Sequence, residues 1–408
     1  MNIGITGPNI LSEQIGGAER HTLNILSLLS KEYKFTYFPA PDLYKDFEKN
    51  IVNVRAKILQ LKQINVNITK YFNEILNNNY SSIEVIKLYC REDISFLFSF
   101  DYLYNPISTC NFIMKFSKIK GIKFGIVMQA MGDFNLHFVP YLKNTVKLAY
   151  NYKVILFRIY NYITRHIILF NLKYGKHPSV ILIINNFFAD NFNLDNQNTE
   201  ILSPSNGIFN SLEYSTDDFI AQNNLKIHGK IIFFARLSYS KGIFDILKIL
   251  KILKNKSDIK LVIIGRFIHN NEKSQFFQMV EHYNLVDKIE YKGFLKDNEL
   301  YNEIRTSEAM VYPSHSDSFS IAVSQSLILG TPVVAYNIAG LKIYSKFKAV
   351  RLVNEFDYKG MANAIEYFLK SSNYQDLFND TELRQFLNNH TWENVAEQYR
   401  KVFTQFGE

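Results

Sequence analysis

Short apolar runs of strand length alternate with amphipathic stretches of helix length along both halves of the chain, the sequence pattern of parallel α/β sheets. In the first half the strand candidates are Asn2 to Thr6, Asp93 to Phe100, Phe124 to Met128 and Ser179 to Ile184. A second set comprises Lys230 to Phe234, Lys260 to Ile264, Lys288 to Tyr291, Ala309 to Tyr312 and Pro332 to Ala335. Helical patterns follow at Ile243 to Lys254, Lys273 to Tyr283 and Ser320 to Leu329, and a closing one at Thr391 to Phe406. Two doubly wound, Rossmann-like domains are expected. The turn-rich stretch Asn185 to Gly207, where apolar periodicity lapses, marks their boundary. The domains are placed at 1–200 and 201–382, with 383–408 as a terminal helical segment. Lys45 to Glu92 is helix-like but Asn-rich and weakly capped, and its elements stay open.

The length, 408 residues, agrees with two cores, since one core rarely grows past roughly 250 to 300 residues. An apolar fraction of 47% excludes a disordered chain. The net charge of +8 is local: between Asp133 and Asp190 there is no acid, while Lys143, Lys147, Lys153, Arg158, Arg165, Lys173 and Lys176 are present. Outside that segment 39 basic residues face 38 acidic ones, which argues against a nucleic-acid binder and for one face that meets an anionic surface.

Within the acid-free stripe, Leu156, Ile159, Tyr160, Ile163, Ile167 and Phe170 recur at helical spacing, with Arg158 and Arg165 on another face. Core packing explains the apolar face at least as well as lipid does. The absence of acids points to peripheral contact of residues 141–177 with an anionic membrane. Val154 to Leu172 does not span a bilayer, because each central Arg would cost roughly 2.5 to 3.5 kcal/mol there. Two cysteines, Cys90 and Cys110, without metal-ligand spacing, fit a reducing compartment. Met1 to Thr6 reads as a buried strand rather than as a secretory signal, so a cytoplasmic protein is expected.

Candidate chemistry sits on three loops. Gly16-Gly17-Ala18-Glu19-Arg20-His21 opens a helical pattern through Leu29, so Gly16 and Gly17 offer unobstructed N–H groups at the positive end of a helix. Arg236 and Lys241 lie five residues apart on a strand-to-helix loop and can converge on one diphosphate, Arg236 with a fork of donors and Lys241 with a point charge. Tyr312-Pro313-Ser314-His315-Ser316-Asp317-Ser318-Phe319-Ser320 leads from a strand into a helix that carries Gln325 and ends before Gly330-Thr331-Pro332-Val333-Val334. Asp317 just before the helix and Gln325 within it are expected to face the crevice at the carboxyl ends of the strands.

This last segment resembles the signature of the family 4 retaining glycosyltransferases of GT-B fold, which have Glu, seven residues, and a second Glu ahead of a Gly-x-Pro-Val-Val strand. Asp317 and Gln325 stand at those two positions. The resemblance extends, in order, over most of the chain. The Gly16-Gly17 loop is similar to the family's first glycine loop, Ser205-Asn206-Gly207 to its interdomain turn, and Arg236 with Lys241 to its diphosphate cations. Gly265, with Arg266 after it, and Gly293-Phe294-Leu295 match its nucleotide-contact loops, and Trp392 opens a helix like the one that crosses back to the first domain.

The resemblance implies two Rossmann-like domains facing an interdomain cleft, and transfer of a sugar from a UDP or GDP donor to a glycan or lipid-linked acceptor. Arg236, Lys241 and Asp317 would be catalytic. Gly16, Gly17, Gly265, Arg266, Phe294, Leu295, Ser318, Phe319, Ser320 and Gln325 would hold the donor. After the strand ending at Met128 the family often presents a His; this chain has Gln129, and Gln129 with His137 is assigned to the sugar and acceptor side. His315 also lies near the presumed cleft, but a lone His is more often structural or solvent-facing than catalytic. No D-x-D motif occurs, and neither a cofactor nor a metal is expected. A second reading, from another class, is a catalytically weak nucleotide- or glycan-binding partner of an active transferase; Asp317 and Gln325 are where the two divide.

Overall fold

A computed structural model describes residues 1–12, 16–100, 106–128, 163, 170, 178–184, 198–208, 225–254, 258–268, 270–370 and 374–406. The chain divides into two compact units, the first made of Met1–Gly207 with Trp392–Glu408 and the second of Ile208–Thr391. Residues 201–207 therefore stay with the first unit and 383–391 with the second, a few residues from the division drawn on the sequence.

The first unit is built on a seven-stranded sheet of order β3-β2-β1-β4-β5-β6-β7 in which every pairing is parallel. Its strands are β1 (Asn2–Thr6), β2 (Lys34–Tyr37), β3 (Val66–Ile68), β4 (Phe96–Ser99), β5 (Lys123–Met128), β6 (Val180–Ile183) and β7 (Thr199–Ile201). β1 and β4 to β6 carry the expected apolar runs, because helices cover both faces of a parallel sheet. The other three were not anticipated. β3 and β7 are three-residue edge strands bearing Asn67 and Glu200, and β2 is interrupted by the buried Thr36. The open region resolves into helices Tyr44–Lys49, Ile51–Gln63, Phe72–Asn77 and Ser82–Tyr89 around β3.

The helix Trp392–Phe406 belongs to this first unit. Trp392, Val395, Ala396, Tyr399, Val402 and Phe403 form its buried stripe at helical spacing. Tyr399 stacks on Phe100 with ring centroids 5.2 Å apart, and Phe403 meets Phe98 edge-on at 5.3 Å. His21, on the helix Gly17–Leu29, is fully buried between two anchors: Nδ1 lies 2.7 Å from Asn206 Oδ1 and Nε2 2.8 Å from the Tyr399 hydroxyl. Gly207 backs onto Trp392 so closely that a Cβ there would sit 2.8 Å from the Trp392 Cα. The places where the chain leaves and re-enters this unit are thus packed side by side.

The second unit has a six-stranded sheet of order β10-β9-β8-β11-β12-β13, again wholly parallel. Its strands are β8 (Lys230–Phe234), β9 (Lys260–Ile264), β10 (Ile289–Gly293), β11 (Ala309–Tyr312), β12 (Val333–Tyr336) and β13 (Val350–Val353). Only β13 was not anticipated: it is an edge strand, and the exposed Arg351 breaks its apolar run. The chain runs from β8 outward to β10 on one side, then crosses to β11 on the other, so the order reverses between β8 and β11.

Burial holds His21 neutral, with its pKa lowered to about 4 against the bond to Asn206, which favours the charged ring. His390 in the second unit is likewise lowered to about 4 by burial. An unfolded His binds its proton near pH 6.5, so each group favours unfolding progressively as pH falls from 6.5 to 4, by about 3 kcal/mol at most. Thermal melts of wild type should lose stability across that window. His21→Gln should remove about half of the acid-side loss, because among the described residues His390 is then the one histidine held neutral by burial. A slope equal to wild type would show that His21 is not buried neutral.

Candidate functional site

Open α/β sheets bind ligands at the carboxyl ends of the strands where strand order reverses. In the second unit that point lies between β8 and β11, and the sequence-assigned residues on those two loops come together there. After β8 the chain passes through Arg236, a short turn at Tyr239–Lys241 and Gly242, and enters the helix Ile243–Leu253. After β11 it passes through Pro313 to Ser320 and enters the helix Ile321–Ile328.

Gly242 fixes how closely the two loops approach. Its φ of 76° lies in the left-handed region, and a Cβ would fall 1.9 Å from the Pro313 carbonyl oxygen, so no other residue fits without displacing one loop. The His315 N–H donates to the Ser240 carbonyl at 2.9 Å, and Lys241 Nζ donates to the Ser316 carbonyl at 2.9 Å. Lys241 Nζ also donates to Asp317 Oδ1 at 2.8 Å, while the buried Tyr312 hydroxyl donates to Asp317 Oδ2 at 2.8 Å. The Asp317 side chain is 13% exposed, so it is a held carboxylate rather than a free one. Burial, and then the Asp317 charge, push the Tyr312 phenol well above its usual range. Lys241 and Asp317, assigned separate roles from the sequence, form one ion pair.

Arg236 is exposed and makes no ion pair among the described residues. The loops after β8 and β9 run together, with the Leu237 N–H on the Arg266 carbonyl at 2.9 Å and the Gly265 N–H on the Gly293 carbonyl at 2.7 Å. Arg266 is exposed and lies over the Phe294 ring, 4.9 Å from its centre. Leu295 is half-buried against the core. Arg236, Arg266 and Phe294 are therefore exposed on adjacent loops at the carboxyl ends of β8, β9 and β10.

Two assigned residues sit differently from expectation. Phe319 turns inward: it is 1% exposed and stacks on His390 at 5.4 Å, so only its backbone can meet a ligand. Gln325 is in the second turn of its helix and 8% exposed, and its carboxamide makes no hydrogen bond to a described residue. Ser320 caps the helix, its hydroxyl accepting from the Val323 N–H at 3.4 Å, with φ 61° in the left-handed region.

Gly16 and Gly17 open the helix Gly17–Leu29 of the first unit as expected. The Gly16 N–H, however, already donates to Glu19 Oε2 at 2.8 Å, so a carboxylate of the chain itself occupies part of that helix start. Gln129, His137 and most of 141–177 lie outside the described residues, and so do 101–105 after β4 and the positions just after β5. Sequence reasoning missed the anchors Tyr312 and Tyr239 and the partners of His315, which come from distant loops and follow no spacing rule.

Residues 216–383 match the model of the family described as glycosyl transferases group 1. An uncharacterized glycosyltransferase of Methanocaldococcus jannaschii is 21% identical over 174 residues, covering 42% of this chain and 44% of that protein. D-inositol 3-phosphate glycosyltransferase of Paenarthrobacter aurescens is 26% identical over 159 residues, covering 38% and 36%. The match thus spans less than half of each of these relatives. Among solved structures, Anabaena HepE in complex with UDP and glucose superposes with a TM-score of 0.68 at 11% identity, over 99% of this chain and 100% of that one. Sucrose-phosphate synthase of Thermosynechococcus elongatus does so with 0.67 at 14% identity, over 99% and 98%. Residues 216–383, inside the second unit, are thus similar to the glycosyl transferases group 1, and the chain has the GT-B fold.

A left-handed conformation costs a non-Gly residue about 1 kcal/mol, and a Gly cap is only a few tenths weaker than Ser. Ser320→Gly should therefore stabilise the chain by roughly 0.5 kcal/mol, whereas Gly242→Ala should destabilise it by about 2 kcal/mol or more. Denaturant unfolding of both variants checks the signs; a destabilised Ser320→Gly would mean that the cap outweighs the strain.

Proposed function

We propose that the chain is a retaining glycosyltransferase that moves a sugar from a nucleoside-diphosphate donor to a glycan or lipid-linked glycan, without a bound metal ion. The observation that carries the reading is the grouping of Arg236, Lys241 and Asp317 on the neighbouring loops after β8 and β11, inside the stretch that matches the family model. When the glycosidic bond to the donor breaks, the diphosphate gains charge while the anomeric carbon becomes positive, so cations are needed on one side and a carboxylate on the other. Arg236 is free to turn its fork onto the phosphates, and Lys241 is presented from a loop that Gly242 locks in place. The N–H groups at the start of Ile321–Ile328 add dipole. Asp317 stands beside the departing group, with Tyr312 fixing its second oxygen. Substitution on the same face lets the leaving phosphate accept the acceptor's proton, so no protein nucleophile is required.

UDP is the favoured nucleotide because HepE, of like fold, was crystallised with UDP and glucose. The stacked Arg266 and Phe294 offer a flat cationic platform at the neighbouring strand ends, suited to a base. We assign the membrane contact to 141–177. Its two described apolar residues, Ile163 and Phe170, are 52% and 62% exposed, more than core packing would leave. Among the described residues no helix is long and apolar enough to cross a membrane, in keeping with contact from one side at the cytoplasmic face.

One observation favours the second reading, a nucleotide-binding partner without transfer activity. Both Asp317 oxygens are already engaged, and position 325 supplies a neutral carboxamide.

The test is a thermal-shift series with UDP and GDP in the presence of a chelator, followed by transfer and hydrolysis assays on UDP-sugars. A nucleotide at a hundredfold excess over its dissociation constant should stabilise the protein by about 2.7 kcal/mol. Arg236→Ala should cut turnover by about a hundredfold and nucleotide affinity less, since leaving-group charge peaks in the transition state. No stabilisation by either nucleotide removes the donor-site reading; binding without turnover on any donor selects the partner.

A further inference from the structure

Two residues before Asp317, the His315 ring is buried with both nitrogens against carboxylates: Nε2 lies 3.0 Å from Asp245 Oδ2 and Nδ1 2.8 Å from Glu355 Oε1. An ionised carboxylate can only accept, so the Nδ1 bond to Glu355 and the approach of Asp245 to Nε2 both favour the protonated, imidazolium form of the ring. Tyr239 stacks near it with centroids 5.8 Å apart and planes at 15°, Phe356 at 4.9 Å and 27°, and Tyr336 lies 5.3 Å away. Asp245 is further held by the hydroxyls of Tyr336 at 2.9 Å and Tyr358 at 3.2 Å, and by Lys248 Nζ at 3.6 Å. These groups come from the turn after β8, the helix Ile243–Leu253, the end of β12, the segment after β13 and the helix Tyr358–Leu369. Phe356 adopts φ 66°, a left-handed conformation that an aromatic residue takes only under constraint.

The arrangement ties three loops at the carboxyl end of the sheet to one ring. Asp245 follows β8, His315 follows β11, and Glu355 follows β13. The backbone N–H of His315 bonds Ser240 as well, so side chain and main chain clamp the same pair of loops that carry Lys241 and Asp317. We propose that His315 is a positioning residue of the donor site: its imidazolium, held between Asp245 and Glu355, sets the separation of the Lys241 and Asp317 loops before a nucleotide arrives. The proposal rests on the reading of Lys241 and Asp317 as donor-site residues. A displacement of about 1 Å at such a pair is enough to cost on the order of a hundredfold in turnover.

Burial alone disfavours the charged ring, but the bonds to Asp245 and then Glu355 outweigh it, and the proton affinity of His315 is raised above the ordinary value. Its contribution is therefore complete below pH 6.5 and is lost as pH rises through the raised value, so the clamp loosens on the alkaline side.

The experiment compares wild-type full chain with Glu355→Gln, which keeps Asp245 as counter-ion and should fold. His315 nitrogens are titrated by NMR, and amide hydrogen exchange is followed over 313–320, of which Pro313 carries no amide hydrogen. In wild type His315 should be doubly protonated at pH 7, and exchange of 313–320 should rise about tenfold or more as the ring deprotonates. In Glu355→Gln both midpoints should move to lower pH together by about one unit, and any UDP-sugar turnover should lose its alkaline limb over the same interval. A neutral His315 at pH 7, or exchange of 313–320 that does not follow the His315 midpoint, overturns the proposal. UDP titration of wild type is read separately: failure to bind would remove the donor-site reading, and with it the positioning role, even where the exchange result shows the clamp.

Discussion

The parallel pairing of β8 with β11 is the constraint on which the second unit's chemistry depends. These strands are 78 residues apart at their paired positions, Ala309 and Met310 against Ile231 and Ile232, yet pairing sets their carboxyl ends side by side. Each strand then delivers one loop, and because β8 and β11 lead to helices reached in opposite directions from the centre of the sheet, the loops diverge and leave room above the strand ends. Gly242 converts that adjacency into contact by letting the Pro313 carbonyl press against its Cα. Once the backbones are that close, a Lys on one loop and an Asp on the other can meet only as a pair. The ion pair is half of what holds the loops; the buried ring of His315 is the other half, one step further from solvent.

His315 and His21 are buried by opposite electrostatic means. In the second unit, carboxylates face both nitrogens of His315 and favour its charged form, while His390 is kept neutral by burial. In the first, His21 meets only an amide oxygen and a hydroxyl, and burial keeps it neutral. A neutral ring suits a place where no counter-charge is available and where the task is to hold Asn206 and the returning helix together. The same residue type thus serves as glue in one core and as an ionic hub in the other, and the partners alone decide which.

The fold was legible wherever a strand is buried on both faces. Lys230 to Phe234, Lys260 to Ile264 and Ala309 to Tyr312 read off the sequence to the residue, because a central parallel strand is a continuous apolar run flanked by turns. The edge strands β7 and β13 escaped for the converse reason: Glu200 and Arg351 are exposed there, and the pattern becomes that of a loop. In the candidate site the residue types were legible and the pairings were not. Nothing local to Lys241 reveals that Asp317 lies across from it, nor does His315 announce Asp245 and Glu355. Phe319 was misread for a simpler reason, since a loop residue's side chain can point into the core as easily as toward a ligand.

The return of Trp392–Phe406 to the first unit has a consequence for synthesis on the ribosome. The aromatic surface of Phe98, Phe100 and His21 is covered by Tyr399, Phe403 and Trp392, which are translated only after the whole of the second unit. At roughly 5 to 20 residues per second, the nascent first unit waits on the order of ten to forty seconds with that face open. The second unit, whose residues are continuous from Ile208 to Thr391, can close its own core meanwhile. The unit that emerges first is therefore finished last, and its exposed aromatic face is what a chaperone at the exit tunnel would meet.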